Sequence, residues 1–591
     1  MNFHKRKDLE HPAISRRAVL LGALGLGGMG VLAGRLYYLQ FIRTKQFAML
    51  AEDNRVKLQV LPPIRGKILD REGKALAENE SVFRLFLDLD KNPNPRESLA
   101  KLQQWVSLSE EELERIEKLL KRRRATVLIK ENVPWDSVVT VEHNIPQLPG
   151  VSIEQGQQRI YPLAEQAAHV IGYVGGVKDA EKKSFYRWAE AKAGRQGLER
   201  SMEERLRGEP GLRQLEVNVH GLALRKLDER PIVKGQDLQM SLHRELQAFT
   251  YDTLLQQESG AAVIMDARNG EVLSIASAPS FNSTVMSQGI GQMAWNKLRT
   301  SEKFPLLDKS ITGQYPPGSV FKMMTGLAGL ESGTAAPHRR VHCPGHFRVG
   351  RQRFNCWRVG GHGQMDLRNA LMQSCDTYFY TIAHETGMEK LAEMCARFGL
   401  GQKTGVDIPG EKGGLIPGAD WKRKSYDQPW FPGDTVNASI GQGYVLTTPL
   451  QLASMTVALV NGGNLHRPRL LQEEKSQRLG IDPAHLDVIR SGMDAVVNAP
   501  RGTARGSRLP DVDYLMGGKT GTAQVRKIKI RGQKQSELPW NQRHHALFVG
   551  YAPLENPRYV CSVVIEHGGG GSAVAAPVAK ALLLKTKELL G

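Results

Sequence analysis

The sequence predicts an α+β protein in three parts: an N-terminal transmembrane helix, a mixed α/β pedestal, and a larger C-terminal domain with an antiparallel sheet flanked by helices. Three observations lead there. An apolar run near the start is long enough to cross a bilayer. A group of β-rich runs with one amphipathic helix follows it. A composition change near Lys234-Gly235-Gln236-Asp237 then introduces a strand hairpin, helical stretches and late strands. At 591 residues the chain is too long for one compact core, and 41% hydrophobic with 24% charged residues describes a folded protein. The expected boundaries are a cytoplasmic tail over 1–17, an anchor over 18–42, the pedestal over 43–235 and the C-terminal domain over 236–591.

Residues 18–33 carry no charge, and apolar residues continue through Leu36, Tyr37, Tyr38, Leu39, Phe41 and Ile42. A spanning helix needs about 20 mostly apolar residues. Arg35 can snorkel to an interface beside Tyr37 and Tyr38. Lys5, Arg6, Lys7, Arg16 and Arg17 precede the run, so the positive-inside rule leaves the tail in the cytoplasm and puts the rest outside. Ser15-Arg16-Arg17 also resembles a twin-arginine export signal, with Val31-Leu32-Ala33 as a cleavage site. The apolar pattern runs past that site, which favours a retained anchor.

Eighty Lys+Arg against 61 Asp+Glu give a net charge of +19. No zinc-finger spacing, aromatic RNA-binding motif or basic-region heptad accompanies it, so nucleic acid is not the expected partner. The charge suits an anionic membrane surface or wall polymer. Five cysteines in this length argue against a disulfide scaffold.

In the pedestal, Pro62-Pro63 and the glycines Gly66 and Gly73 mark turns around a short strand, and residues 81–89 read as a second. Ser109 caps a helix with Glu112 three residues on; Leu113, Ile116, Leu119 and Leu120 form its apolar face. Residues 214–219 alternate as a strand. No catalytic cluster occurs in this region, which reads as a spacer. In the C-terminal domain, residues 260–266 and 270–276 form a hairpin, and residues 545–551 and 559–565 are late strands. The most basic loop, Arg526 to Lys534, lies between.

Three short motifs carry the chemistry: Ser319-Val-Phe-Lys322, Ser374-Cys-Asp376 and Lys519-Thr-Gly521. Ser319 follows the turn Tyr315-Pro-Pro-Gly318 and opens a helix, with Lys322 at i+3 on the same face. A serine hydroxyl becomes a nucleophile when a neighbouring base takes its proton, and a lysine serves only if its own proton affinity is lowered. Ser374 can pass a proton between Lys322 and a leaving amine. Lys519 and Thr520, with Gly521, would hold a substrate carboxylate, glycine at Gly517 and Gly518 letting it approach. The backbone N–H groups of Ser319 and Thr522 would form an oxyanion hole. Each motif alone is weak; their order and separation point to acyl transfer through a serine ester.

This trio resembles that of the penicillin-binding transpeptidases. Arg65-Gly66-x-Ile68-x-Asp70-Arg71-x-Gly73, Gly197-Leu-Glu199 and Leu206-Arg-Gly208 resemble the class B members, which carry a non-catalytic, dimerisation-type pedestal, and the elongation-type members in particular. Ala438-Ser-Ile-Gly-Gln-Gly443 matches a further family segment near the active site. The resemblance implies a serine D,D-transpeptidase acting on D-Ala-D-Ala stem peptides and acylated by β-lactams, in the inner membrane with its catalytic domain in the periplasm. It needs no organic cofactor, and a SEDS-type glycosyltransferase and elongation-complex proteins are its implied partners. One departure stands out: the family's second motif usually ends in Asn, where this chain has Asp376, a residue that the elongation-type members tolerate there. An ionised Asp accepts hydrogen bonds but cannot donate one, and it can pair with Lys322 or Lys519. A β-lactam sensor or a non-catalytic activator of a polymerase is the alternative function.

A second constellation, Cys343, Cys356, His362 and Cys375, offers three thiolates and one imidazole, a closed structural zinc set. It resembles the zinc site of some family members, in which carboxylates occupy two positions. A Cys343–Cys356 disulfide with Cys375 as a buried thiol is the alternative. Cys395 and Cys561 read as core residues, and His338, His342 and His346 as solvated loop histidines, His342 or His346 being a fallback ligand.

Overall fold

The computed structural model describes residues 16–42, 56–121, 126–177, 191–218, 223–471, 475–526 and 534–591. Nearly all of the expected cytoplasmic tail, and the basic loop over 527–533, lie outside these residues. The chain divides into two compact units, residues 1–63 with 209–233, and residues 64–208 with 234–591.

The first unit holds helix α1 (Arg16–Tyr37), which continues as a π turn over Tyr38–Ile42. Apolar side chains surround it, with Leu20, Leu24, Val31 and Leu32 all exposed. A helix apolar on every side needs an apolar medium around it. The 24 residues from Val19 to Ile42 rise about 36 Å, more than the roughly 30 Å of a bilayer's hydrocarbon. The unit's sheet runs in the order Val56–Leu61, Gly211–Val217, Ala223–Arg230, all antiparallel. The last strand is largely charged, which hid it from a reading based on apolar alternation.

In the second unit, the pedestal residues centre on the long strand Ala75–Asp88, paired antiparallel with Val151–Ile160 and with Thr126–Lys130. Leu85, Leu87, Ile116, Val127, Ile129 and Val141 form the core beneath it. The Ser109 cap is present in both directions: Ser109 N–H donates to Glu112 Oε2 (2.8 Å) and Glu112 N–H to Ser109 Oγ (3.2 Å). Two of the sequence segments meet at Glu199, which is fully buried between Arg65 (Nε to Oε2, 2.6 Å) and Arg159 (Nε to Oε1, 2.8 Å). Ile68–Leu69 pairs in parallel with Leu238–Gln239, which ties this part to the start of the C-terminal domain.

The C-terminal domain is built on five antiparallel strands: β1 (Gly260–Asp266), β2 (Val272–Ala278), β3 (Gly517–Ala523), β4 (His545–Ala552) and β5 (Tyr559–Ile565), in the order β2-β1-β5-β4-β3. The strands β1, β2 and β5 are buried at every residue. Their near-continuous apolar runs follow from helices on both faces: Arg244–Leu255 and Ala576–Leu590 pack with the sheet, as does Pro449–Val460. The late strand β3 is the edge of the sheet, yet it is buried at every residue but Thr522, because helix Pro483–Asn498 and the turn Gly318–Phe321 pack against it.

Candidate active site

The nucleophile turn is fixed before any side chain is considered. Gly318 N–H donates to Gly441 O (3.0 Å), and Tyr315 exchanges backbone hydrogen bonds with Thr447. Gly318 sits at φ +54°, and a Cβ there would lie 2.6 Å from Thr522 O. Reciprocally, a Cβ on Gly521 would lie 2.9 Å from Pro317 O. Only glycine on both sides lets the turn and strand β3 come this close. The glycines Gly517 and Gly518 have a different reason from the expected one: a Cβ on Gly517 would strike the ring of Tyr551, and one on Gly518 the ring of Phe548. They serve packing against β4.

Residues Gly318–Phe321 form one 3-10 turn that runs into helix α2 (Lys322–Glu331). Ser319 is half-buried on this turn, while Lys322 is fully buried on the first helical residue. Lys322 Nζ donates to Asp376 Oδ1 (2.6 Å), Ser374 O (3.0 Å) and Ser374 Oγ (3.1 Å). Among the described residues, no hydrogen bond joins it to Ser319 Oγ. From strand β3, the equally buried Lys519 Nζ donates to the same Ser374 Oγ (3.1 Å) and to Thr520 O (3.1 Å). One hydroxyl therefore stands between two amines, on the residue just before the loop into helix α3 (Asp376–Thr386). Ser374 itself is at φ +53°, an uncommon conformation for a residue with a Cβ.

Burial drives Lys519 well below the ordinary lysine range, and the Lys322 ammonium adds to this, with Asp376 opposing. Burial pushes the Asp376 carboxyl up; the Lys322 ammonium holds it down and a Cys356 thiolate pushes it up again. Both Asp376 oxygens are occupied, because Oδ2 accepts the backbone N–H of Trp357 (2.8 Å). Two donors thus face this one side chain. An Asn would have to turn its amide NH2 toward one of them, so the departure from the family's usual residue has a local cause.

Thr520 Oγ1 lies 2.9 Å from Thr503 Oγ1, and Gln442 Nε2 donates to Thr522 O (3.0 Å). Gln442 belongs to a segment already singled out; Thr503 and Trp357 were not foreseen, and no local pattern marks either.

Cys343, Cys356, His362 and Cys375 converge, with their donor atoms all within 4.8 Å of one another. His362 Nδ1 is 3.6 Å from Cys343 Sγ and 3.5 Å from Cys356 Sγ. All five cysteines are free thiols, so a Cys343–Cys356 disulfide is not the arrangement here. Hydrogen bonding from the Cys375 thiol pulls Cys343 and Cys356 well below the usual thiol range, and Cys375 is pushed up in return. Three thiols and one imidazole this close together form a donor set that could hold a metal ion. His342 and His346 lie outside the cluster.

Fold and site together define a class, a serine-type acyl transferase on an antiparallel sheet. The chain belongs to the penicillin-binding protein transpeptidase family: residues 260–584 match the penicillin binding protein transpeptidase domain, and residues 60–240 the penicillin-binding protein dimerisation domain. It is similar to peptidoglycan D,D-transpeptidase MrdA of Acinetobacter baumannii, 35% identical over 98% of this chain and 90% of the relative. MrdA of Escherichia coli is 31% identical over 97% of this chain and 94% of the relative. Among solved structures, the complex between penicillin-binding protein PBP2 and MreC from Helicobacter pylori has a TM-score of 0.80 at 31% identity, covering 90% of this chain and 99% of that one. A peptidoglycan synthase complex has a TM-score of 0.73 at 28% identity, covering 98% and 99%.

Two outcomes follow from this geometry. Asp376→Asn leaves one buried donor facing another, and is expected to cost about 1–3 kcal/mol, read as loss of penicillin-binding capacity at a lower temperature than for the wild type. Lys519 is less protonated when folded than when unfolded, so its contribution to stability rises with pH up to the ordinary lysine range. Lys519→Met is expected to flatten that rise in a series of thermal midpoints taken across the alkaline range.

Proposed function

We propose that this D,D-transpeptidase works through an acyl-enzyme on Ser319, with Lys322, Ser374 and Lys519 as its proton relay. The observation that carries the reading is the hydroxyl of Ser374 held between two buried lysine amines beside the serine-bearing turn. Ser319 Oγ attacks the carbonyl carbon of the penultimate D-alanine, and its proton passes to Lys322. The C–N bond to the terminal D-alanine breaks, and the leaving nitrogen takes a proton through Ser374. An amine on a neighbouring stem peptide then attacks the ester carbonyl and gives up a proton to Lys322, the C–O bond breaks, and that proton passes to Ser319 Oγ.

The substrate's own charge has a part in this. A terminal carboxylate near Lys519, Thr520 and Gly521 favours the ammonium form of Lys519. The chain of hydrogen bonds from Lys322 through Ser374 gives that proton a route, and its arrival at Lys519 leaves Lys322 free to act as base. Backbone N–H groups of Ser319 and Thr522 are the proposed oxyanion donors.

Cys343, Cys356, His362 and Cys375 are the proposed zinc ligands. Zn–S bonds of about 2.3 Å and Zn–N bonds of about 2.0–2.1 Å at tetrahedral angles separate S and N by about 3.6 Å. The distances of 3.5 and 3.6 Å in this cluster support that fit. The ion would cross-link the loop that presents Ser374.

The apolar helix over Val19–Ile42 supports a single-pass anchor, with the catalytic domain proposed in the periplasm. The proposed domain boundaries are those of the sequence reading, at 17/18, 42/43 and 235/236. A role in elongation and rod-shape maintenance, with a SEDS-type glycosyltransferase as partner, follows from the family resemblance; the solved complex of PBP2 with MreC supports an MreC-like scaffold, and the peptidoglycan synthase complex supports a polymerising partner. The same relatives favour turnover over a sensor or a silent activator.

Incubation with a labelled penicillin is expected to add one intact antibiotic mass, mapped to the peptide bearing Ser319 and absent from Ser319→Ala. An adduct elsewhere overturns the assignment. Metal analysis is expected to find about one zinc per chain, lost in Cys375→Ser together with most penicillin labelling. A metal-free wild type with full labelling sinks the zinc reading and spares the acyl-enzyme.

A further inference from the structure

Trp357 follows Cys356 directly and is 58% exposed, the opposite of what a large aromatic side chain normally seeks. Its two N–H groups nevertheless both point inward. The indole Nε1 donates to Ser374 O (3.0 Å) and Gln373 O (3.1 Å), and the backbone N–H donates to Asp376 Oδ2 (2.8 Å). A single residue thus grips the second motif on both sides of Cys375. Packing does not account for a tryptophan here, since more than half of its surface stays in solvent. Hydrogen bonding does: a carbonyl has two acceptor sites, and Ser374 O fills them with Lys322 Nζ and the indole.

Ser374 needs such a grip. It sits at φ +53° between a helical turn and helix α3, and its Oγ must face Lys322 and Lys519 at once. A non-glycine residue persists in that conformation only when its surroundings over-determine it. A small rotation of this peptide would swing the hydroxyl away from one amine. The His362 ring meets the exposed indole edge-on at 5.3 Å and limits the ring's freedom.

We propose that Trp357 is a positioning residue for catalysis, its indole N–H holding the Ser374 peptide so that the hydroxyl bridges Lys322 and Lys519. The inference rests on the acyl-enzyme reading and assigns Trp357 no contact with substrate. Its effect is on the rate of acylation and not on the binding of the acyl donor.

Three forms of the full-length protein test this: wild type, Trp357→Phe, which keeps an aromatic ring without a donor, and Trp357→His, whose five-membered ring can place an N–H where the indole does. Penicillin acylation is resolved into a binding constant and a first-order acylation constant, with metal content and thermal midpoint measured alongside. Trp357→Phe is expected to slow acylation about tenfold, equivalent to about 1.4 kcal/mol in the barrier, with binding, metal and midpoint as in wild type. Trp357→His is expected to recover most of the rate. Wild-type acylation by Trp357→Phe overturns the proposal, and so does a loss that Trp357→His fails to recover or that tracks loss of metal or midpoint. A wild type that takes no label would instead sink the acyl-enzyme reading.

Discussion

Two buried lysine amines share one hydroxyl, and the rest of the site answers to that arrangement. Lys322 and Lys519 both have fully buried side chains. Like charges so placed are poorly screened and oppose one another's ionisation. One answer is a counter-charge, Asp376, 2.6 Å from Lys322. The other is that Lys519 carries the burden of burial and sits well below the ordinary lysine range. A buried ion pair seldom adds net stability, because desolvation offsets its attraction, whereas breaking one is costly. Asp376 is thus best understood as a condition for keeping a cation beside Ser374, and not as a stabilising ornament.

That condition reaches outward through hydrogen bonds. A carboxylate has more acceptor capacity than Lys322 alone can fill, and the second oxygen takes Trp357 N–H. Trp357 is in turn placed by Cys356, whose thiol lies with Cys343, His362 and Cys375 in one cluster. The residues flanking Cys375 are Ser374 and Asp376, so the loop is tied at its middle by sulfur and at both shoulders by Trp357. A backbone conformation that costs about 1–3 kcal/mol for a non-glycine residue survives at Ser374 because these ties leave it no alternative.

What was legible in the sequence was whatever physics confines to a few residues. Ser109 and Glu112 cap one another, and the apolar runs of β1, β4 and β5 mark buried strands. Ser319 lies on the turn that leads into the Lys322 helix, although that turn is 3-10 and Lys322 bonds to Ser374 and Asp376 instead. The charged strand Ala223–Arg230 was silent, because its place depends on pairing with Gly211–Val217 and not on its own pattern. Asp376 could be noticed as unusual but not explained, since the donor that requires it stands 19 residues earlier in the chain. Trp357 and Thr503 were invisible for the same reason: a hydrogen bond between loops leaves no periodic trace.

The reactive groups come from three unlike pieces of backbone, and each piece is held by something other than its neighbours in sequence. The serine turn and strand β3 approach closely through Gly318 and Gly521. The Ser374 peptide is held by Lys322 and Trp357. The Thr520 hydroxyl rests on Thr503, whose own N–H reaches Met372 O just before the Ser374 loop. These supports close on one another, so displacing any one element strains the other two. Lys519 is the group with the most to gain from an arriving anion, since burial is what suppresses its charge. On the proposed reading, a substrate carboxylate that reaches Lys519 would therefore be recognised and would redistribute protons in the same event.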